Sequence, residues 1–201
     1  MPELRSPLTL APTGVRSPLS LTDLSLWVKF QVRATPDGAV RAALGVPFGR
    51  TTRPQAADLS GTLVVGSGPG EWLVLGRPDA AALLRDALTG LTDAADEFAS
   101  VVDVTHGRAM VRLSGGDAAA VLAKLCAVDL ADAVTPDGSA LRSSVAGVVT
   151  DVVRDDLPDG TPRYLLHCER SSGQYLADCL LDAGGEFDIT VAAFDPTEDR
   201  P

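Results

Sequence analysis

The chain has 201 residues, 45% of them hydrophobic and only 4% aromatic, with a formal net charge of −10 at neutral pH. That much apolar material buries a sizeable core, as one large domain or two small ones, whereas the acidity opposes binding to phosphate backbones and anionic lipid, and few aromatic rings are left to stack on bases. No apolar run approaches the roughly 20 residues of a bilayer-spanning helix, and no basic-then-apolar leader precedes the first prolines, so the sequence predicts a cytoplasmic protein with neither nucleic-acid nor membrane partners.

Residues 1–22 hold a proline-rich echo, Arg5-Ser6-Pro7-Leu8 and Arg16-Ser17-Pro18-Leu19. Proline resists helix interiors and central strands, which predicts an extended arm, loose or laid across a partner. In residues 26–33, Leu26, Val28, Phe30 and Val32 alternate with Trp27, Lys29, Gln31 and Arg33, the pattern of a half-buried strand. Thr35 as cap, Pro36 at the first turn and Gly45 as stop predict a short helix carrying Val40 and Leu44. Strands follow at 62–66 and 72–76, joined through Ser67-Gly68-Pro69-Gly70-Glu71 as a hairpin. Residues 78–88 read as a helix with Leu83, Leu84, Ala87 and Leu88 as its stripe and Gly90 as its stop, and 101–104 as a strand.

The same order then returns: a strand at 108–113, a helix at 117–126, a long or broken strand-pair region at 139–154 and a partner strand at 163–169 across the polar loop 155–161. A helix at 172–183 shows Tyr175, Leu176, Cys179 and Leu180 on one side, and 187–193 closes the unit. The prediction is an α+β fold of two ferredoxin-like βαββαβ halves, residues 23–105 and 106–194, with the arm before them and a polar tail at 195–201. No sequence repeat links the halves, so the duplication rests on element order alone. Cys126, Cys168 and Cys179 lack metal-ligand spacing and are odd in number, so they read as small core residues.

The glycines of 66–70 resemble a phosphate-cradling loop, but such loops open a helix, whereas Glu71 to Leu75 read as a strand. They suit a hairpin instead, with Trp72 anchored in a core or an interface. The densest polar cluster is Asp103-Val104-Thr105-His106-Gly107-Arg108. An Asp–His pair is suited to general acid–base work. The structural alternative is that Asp103 or Thr105 caps backbone, Gly107 supplies an unusual turn and Arg108 pairs with a carboxylate. His167, on a strand, reads as exposed or satisfied, and Ser114 with Asp117 resembles a capping box. There is no serine elbow, paired-cysteine zinc motif or calcium loop.

Ser100-Val101-Val102-Asp103-Val104-Thr105-His106-Gly107-Arg108-Ala109, continuing through Leu113-Ser114-Gly115 to Val121-Leu122-Ala123-Lys124-Leu125-Cys126 and Asp129-Leu130, resembles the gamma subunit of heterotetrameric sarcosine oxidase. More distantly it is similar to the glycine-cleavage aminomethyltransferase pattern. An early Ser-Pro-Leu, Gly68-Pro69-Gly70-Glu71-Trp72-Leu73, and Glu169-Arg170-Ser171 leading into Tyr175-Leu176 agree in order. The resemblance implies the N-terminal part of the aminomethyltransferase, folate-binding fold. It also implies membership of a complex that oxidises the N-methyl group of sarcosine or a related amine. FAD, FMN, NAD and tetrahydrofolate would then belong to larger alpha, beta and delta subunits. This chain would hold no cofactor, metal or catalytic residue, and Trp72, Asp103, His106 and Arg108 would be its interface candidates. The competing expectations are a free-standing folate-dependent one-carbon transferase using Asp103, or a folate-binding regulatory protein.

Overall fold

The structure is a computed structural model that describes residues 5–14, 17–55 and 57–194. The tail expected at 195–201, and residues 1–4, 15 and 16 of the expected arm, lie outside the described residues. In chain order the elements are β1 (Ser20–Asp23), β2 (Val28–Arg33), α1 (Ala39–Leu44), β3 (Thr51–Thr52), β4 (Leu63–Gly68), β5 (Glu71–Gly76), α2 (Ala81–Asp93) and β6 (Ser100–Asp103). There follow β7 (Arg108–Ser114), α3 (Ala118–Ala123), β8 (Ala140–Val145), β9 (Val148–Arg154), β10 (Arg163–Glu169), α4 (Gly173–Gly184) and β11 (Thr190–Ala192). They form two compact units, one of residues 27–105 and one of residues 5–26 with 106–194.

In the unit of residues 27–105 the sheet order is β3-β4-β5-β2-β6, antiparallel throughout. Setting aside the two-residue β3, this is the strand order of a split βαβ pair: each helix carries the chain across a neighbouring strand. Val28, Phe30 and Val32 from β2, with Trp72 and Val74 from β5, pack against Val40 and Leu44 of α1 and Leu84 and Leu88 of α2. Alternation along the strands and the 3.6-residue stripe along the helices make one apolar layer.

Four expectations change here. Helix α1 starts at Ala39 rather than beside Pro36, because Thr35 to Gly38 form a turn in which Gly38 N–H donates to Thr35 O at 3.1 Å. Gly90 does not stop α2, which runs on to Asp93 and so packs Leu91 against the core; a helical glycine costs only about 1 kcal/mol relative to alanine. Leu83 is 75% exposed, since the register that buries Leu84 and Leu88 turns it aside. The expected alternation of β2 holds toward its end, where Gln31 is half-buried and Arg33 exposed, but not at its start: Trp27 and Lys29 are buried, the Lys29 ammonium donating to Trp27 O at 2.8 Å, while Leu26 precedes the strand and is partly exposed. The hairpin between β4 and β5 forms as expected, with Gly70 at φ +70° supplying the left-handed turn residue.

The other unit has sheet order β11-β1-β7-β10-β9-β8. Strand β1 pairs in parallel with β11 and antiparallel with β7, so the end of the expected arm lies inside a sheet, with Leu19 and Leu21 fully buried. Residues nearer the N-terminus lie on the same unit: Leu8 is buried, and Thr13 N–H donates to Val191 O at 3.0 Å. The broken region at 139–154 is the hairpin β8–β9, turned by Ala146 and Gly147, both at positive φ. Helices α3 and α4 cover one face, where Val121, Leu122, Leu176 and Leu180 meet Val111, Leu113, Tyr164 and Leu166. Tyr175, expected on that stripe, is 56% exposed. The capping box does not form: Asp117 makes no side-chain cap bond, and Ser114 Oγ is buried at the end of β7 with no hydrogen-bond partner among the described residues.

Candidate functional site

The polar cluster at 103–108 links the last strand of one unit to the first long strand of the other. Asp103 ends β6. Its Oδ1 accepts Thr105 N–H at 3.0 Å and its Oδ2 accepts from Arg85 of α2 at 2.7 Å. The Arg85 guanidinium also lies 5.1 Å from the ring centre of Phe30, a cation–π distance. Thr105 Oγ1 in turn accepts Lys29 N–H at 3.0 Å, closing the end of β2 where regular pairing stops. Partial burial raises the Asp103 carboxyl, but the bonds from Thr105 and Arg85 outweigh it and hold the group below the usual carboxylate range.

His106 is exposed on the 3-10 turn Thr105–Gly107. Gly107 does not provide the unusual turn expected of it, since its φ is not positive and a Cβ there would meet nothing within 4 Å. Arg108 opens β7 opposite Glu169 of β10 and pairs with it at 2.9 Å, as the structural alternative anticipates. Trp72 is 2% exposed, its indole N–H donating to Val46 O at 3.1 Å, which makes it a core residue rather than a surface anchor. Asp103 and Arg108 are thus each held in an ion pair of their own unit.

His167 is buried, not exposed. Its Nε2 lies 3.3 Å from Asp151 Oδ2, and Asp151 also receives two bonds from Arg142, at 2.7 and 3.1 Å, so the three side chains run across β10, β9 and β8. Cys168 is buried, and desolvation pushes its thiol up to about 11, far from a reactive thiolate. Cys126 and Cys179 are half-buried and free. Among the described residues no group of three or more His, Cys, Asp or Glu is placed to hold a metal ion, and no helix is long and apolar enough to cross a membrane.

Among the described residues, a broad depression within residues 27–105, lined by Thr92, Asp93, Asp96, Glu97, Phe98 and Ala99, opens to solvent, as does another in the other unit, lined by Pro7, Glu169, Arg170, Ser171 and Gln174. The first set carries no motif in the sequence. Its signal was an aromatic residue in an acidic connection, in a chain otherwise poor in aromatics. Chemically, a carboxylate held below its ordinary range is a weak base, because a general base works best when poised near the operating pH. Within the cluster Asp103, Thr105 and Arg108 are bound to backbone or to opposite charge.

No protein-family model matches the chain. It is 28% identical over 179 residues to the sarcosine oxidase subunit gamma of Corynebacterium sp. (strain U-96), covering 87% of this chain and 83% of that protein. It is also 28% identical over 132 residues to the sarcosine oxidase subunit gamma of an Arthrobacter species, covering 64% and 63%. Among solved structures, it superposes on a chain of the heterotetrameric sarcosine oxidase from Corynebacterium sp. U-96 in complex with pyrrole 2-carboxylate, with a TM-score of 0.68, 84% of this chain and 85% of that one being covered. The glycine cleavage system aminomethyltransferase T from Bartonella henselae matches in fold, with a TM-score of 0.63 at 16% identity, covering 88% of this chain and 48% of that one. Along more than four fifths of its length, therefore, the chain resembles a sarcosine oxidase gamma subunit in sequence and a chain of the heterotetrameric enzyme in fold.

Proposed function

We propose that this chain is the non-catalytic gamma-type subunit of a heterotetrameric, sarcosine-oxidase-like flavoenzyme, assembled with alpha, beta and delta subunits. The observation that carries the proposal is coverage in both directions: 87% of this chain aligns with 83% of a gamma subunit. In this reading the other subunits hold FAD, FMN, NAD and tetrahydrofolate. They oxidise the N-methyl group of sarcosine or a related amine and pass the methyl carbon to tetrahydrofolate. This chain helps the assembly form and persist. The ties of Asp103 to Thr105 and Arg85 support an accessory role, because a base already committed to a cation and a backbone N–H is ill suited to proton transfer.

The test is co-expression of this chain, tagged at its C-terminus, with alpha, beta and delta subunits of the sarcosine-oxidase type from the same source, followed by affinity purification and absorption spectroscopy. A stoichiometric complex with three other chains and flavin absorption is the expected result. A lone, colourless chain would overturn it, and tetrahydrofolate binding by that chain would favour a free-standing one-carbon transferase or a folate-binding regulator.

A further inference from the structure

Phe98 is 92% exposed, the most exposed of the large apolar side chains among the described residues, in a chain with few aromatic residues. Its backbone is held on both sides. Asp96 adopts φ +44°, a left-handed conformation that costs a non-glycine residue about 1 kcal/mol or more. Glu97 turns inward, its Oε1 accepting Val40 N–H at 2.8 Å at the start of α1. Gly38 makes room for that carboxylate, since a Cβ there would stand 1.8 Å from Glu97 Oε2. Two residues beyond Phe98, β6 begins. The ring is therefore presented by a fixed backbone, and a preorganised aromatic side chain is the kind of group that anchors an interface.

Strand β6 lies at the end of its sheet and, among the described residues, pairs with β2 alone. Val104 N–H donates to Lys29 O at 2.9 Å, and hydrogen-bonded pairs alternate along an antiparallel ladder. Val102 therefore faces β2 with its peptide groups, while those of Val101 and Asp103 point out along the open edge. Folded proteins usually protect such an edge with lysine, proline or a bulge. The sequence Ser100-Val101-Val102-Asp103 offers no lysine or proline, and Val102 is 51% exposed.

The carboxylates choose the occupant. Asp93 and Asp96 line the depression at the base of Phe98, and Asp103 ends the strand. A second copy pairing edge to edge would bring these carboxylates against their own kind in a chain already at −10. We infer that β6 receives an extended strand from another subunit of the assembly, one that offers an apolar pocket to Phe98 and basic side chains to Asp93 and Asp96. This is strand addition at a sheet edge, with peptide hydrogen bonds giving affinity and the pocket giving specificity. The inference rests on the accessory-subunit reading and names the surface through which it would operate.

The test uses the co-expressed complex with the wild-type chain and with a Phe98→Asp, Val102→Lys double variant. Both side chains are largely exposed, so the thermal midpoint of the isolated chain should stay the same. The expected result is that recovery of the other subunits falls at least about tenfold for the variant, and that amide exchange at Val101 and Asp103 of the wild-type chain slows on assembly. Full recovery with the variant, or unchanged exchange at those amides in an intact complex, would overturn edge docking and leave the accessory reading standing. Failure of the wild-type chain to assemble would overturn both. A homodimer seen by sedimentation and abolished by the double variant would show the edge to be a self-contact, against the proposal. Should the variant unfold, the exchange measurement on the wild-type complex decides alone.

Discussion

Gly173 opens α4 where the helix start meets β7. An alanine there would place its Cβ 2.3 Å from Ala109 Cβ and 3.0 Å from Leu8 Cδ2. Carbon atoms in contact rest about 3.5–4.0 Å apart, so the first overlap exceeds an ångström. Ala109 cannot swing away, because its Cβ is fixed to a strand paired with β10 opposite Cys168. The backbone itself is unstrained, with Gly173 at φ −60° and ψ −48°, which leaves the contact as the source of the cost. Overpacking of this kind costs about 1–3 kcal/mol, and the helix preference for alanine returns at most about 1 kcal/mol. Gly173→Ala should therefore lose about 1–2 kcal/mol. At about 2–4 °C per kcal/mol for a chain of this size, that lowers the thermal midpoint by roughly 2–8 °C. Trp27 and Trp72 both lie in the unit of residues 27–105, so tryptophan emission is the wrong probe and scanning calorimetry the right one. Ala109→Gly removes the opposing carbon, and the double variant should recover at least about 1 kcal/mol relative to the sum of the single changes. A stabilised Gly173→Ala, or strict additivity with Ala109→Gly, would refute the close-approach argument.

Trp72→Phe keeps a buried ring but strands the Val46 carbonyl that the indole N–H satisfies at 3.1 Å. It should cost the isolated chain about 1–3 kcal/mol in urea unfolding without changing partner recovery per folded molecule; an unchanged stability would contradict the core placement. Asp103 has its folded-state pKa depressed, so the stability it contributes is present above its unfolded pKa of about 4 and is lost as pH falls through the lower folded value. The gap in thermal midpoint between wild type and Asp103→Asn should be level above about pH 5 and close below about pH 4; a gap independent of pH down to pH 2 would remove the charge from the account. Tyr164 is fully buried and its hydroxyl has no hydrogen-bond partner among the described residues, so Tyr164→Phe should be neutral or slightly stabilising in the same unfolding assay. A loss above about 1 kcal/mol would reveal a bridging water as its partner.

Most elements were legible because each depends on its own residues. Alternation in β2, the glycine turn before β5 and the Leu84/Leu88 stripe of α2 are local patterns, and local patterns are what a sequence displays. The departures arise where a remote residue decides. Nothing near Thr35 announces that Glu97, 57 positions beyond Val40, will accept the Val40 N–H in the first turn of an α1 that starts after Pro36. Nothing in the Pro-rich start announces that Ser20–Asp23 will lie between β7 and β11, because a strand of four residues is specified by its neighbours rather than by its own period.

The candidate site divides the same way. The cluster at 103–108 stood out because polar residues were crowded between two apolar runs, and crowding is visible in one dimension. Its bonds were not: Arg85 lies 18 positions before Asp103, and Glu169 lies 61 positions after Arg108. Those partners turn two of the four candidates into local ion pairs, and the indole bond to Val46 turns a third, Trp72, inward. Phe98 escaped notice for the converse reason, since a phenylalanine that follows a helix pattern reads as core until the backbone at Asp96 and the inward bond of Glu97 point it at solvent. A surface reserved for another chain leaves no periodicity, because its apolar residues are matched to a partner's sequence and not to their own. Under the accessory-subunit proposal, the residues to test first are thus those that break the internal pattern, Phe98 on its fixed backbone and Val102 on the edge strand.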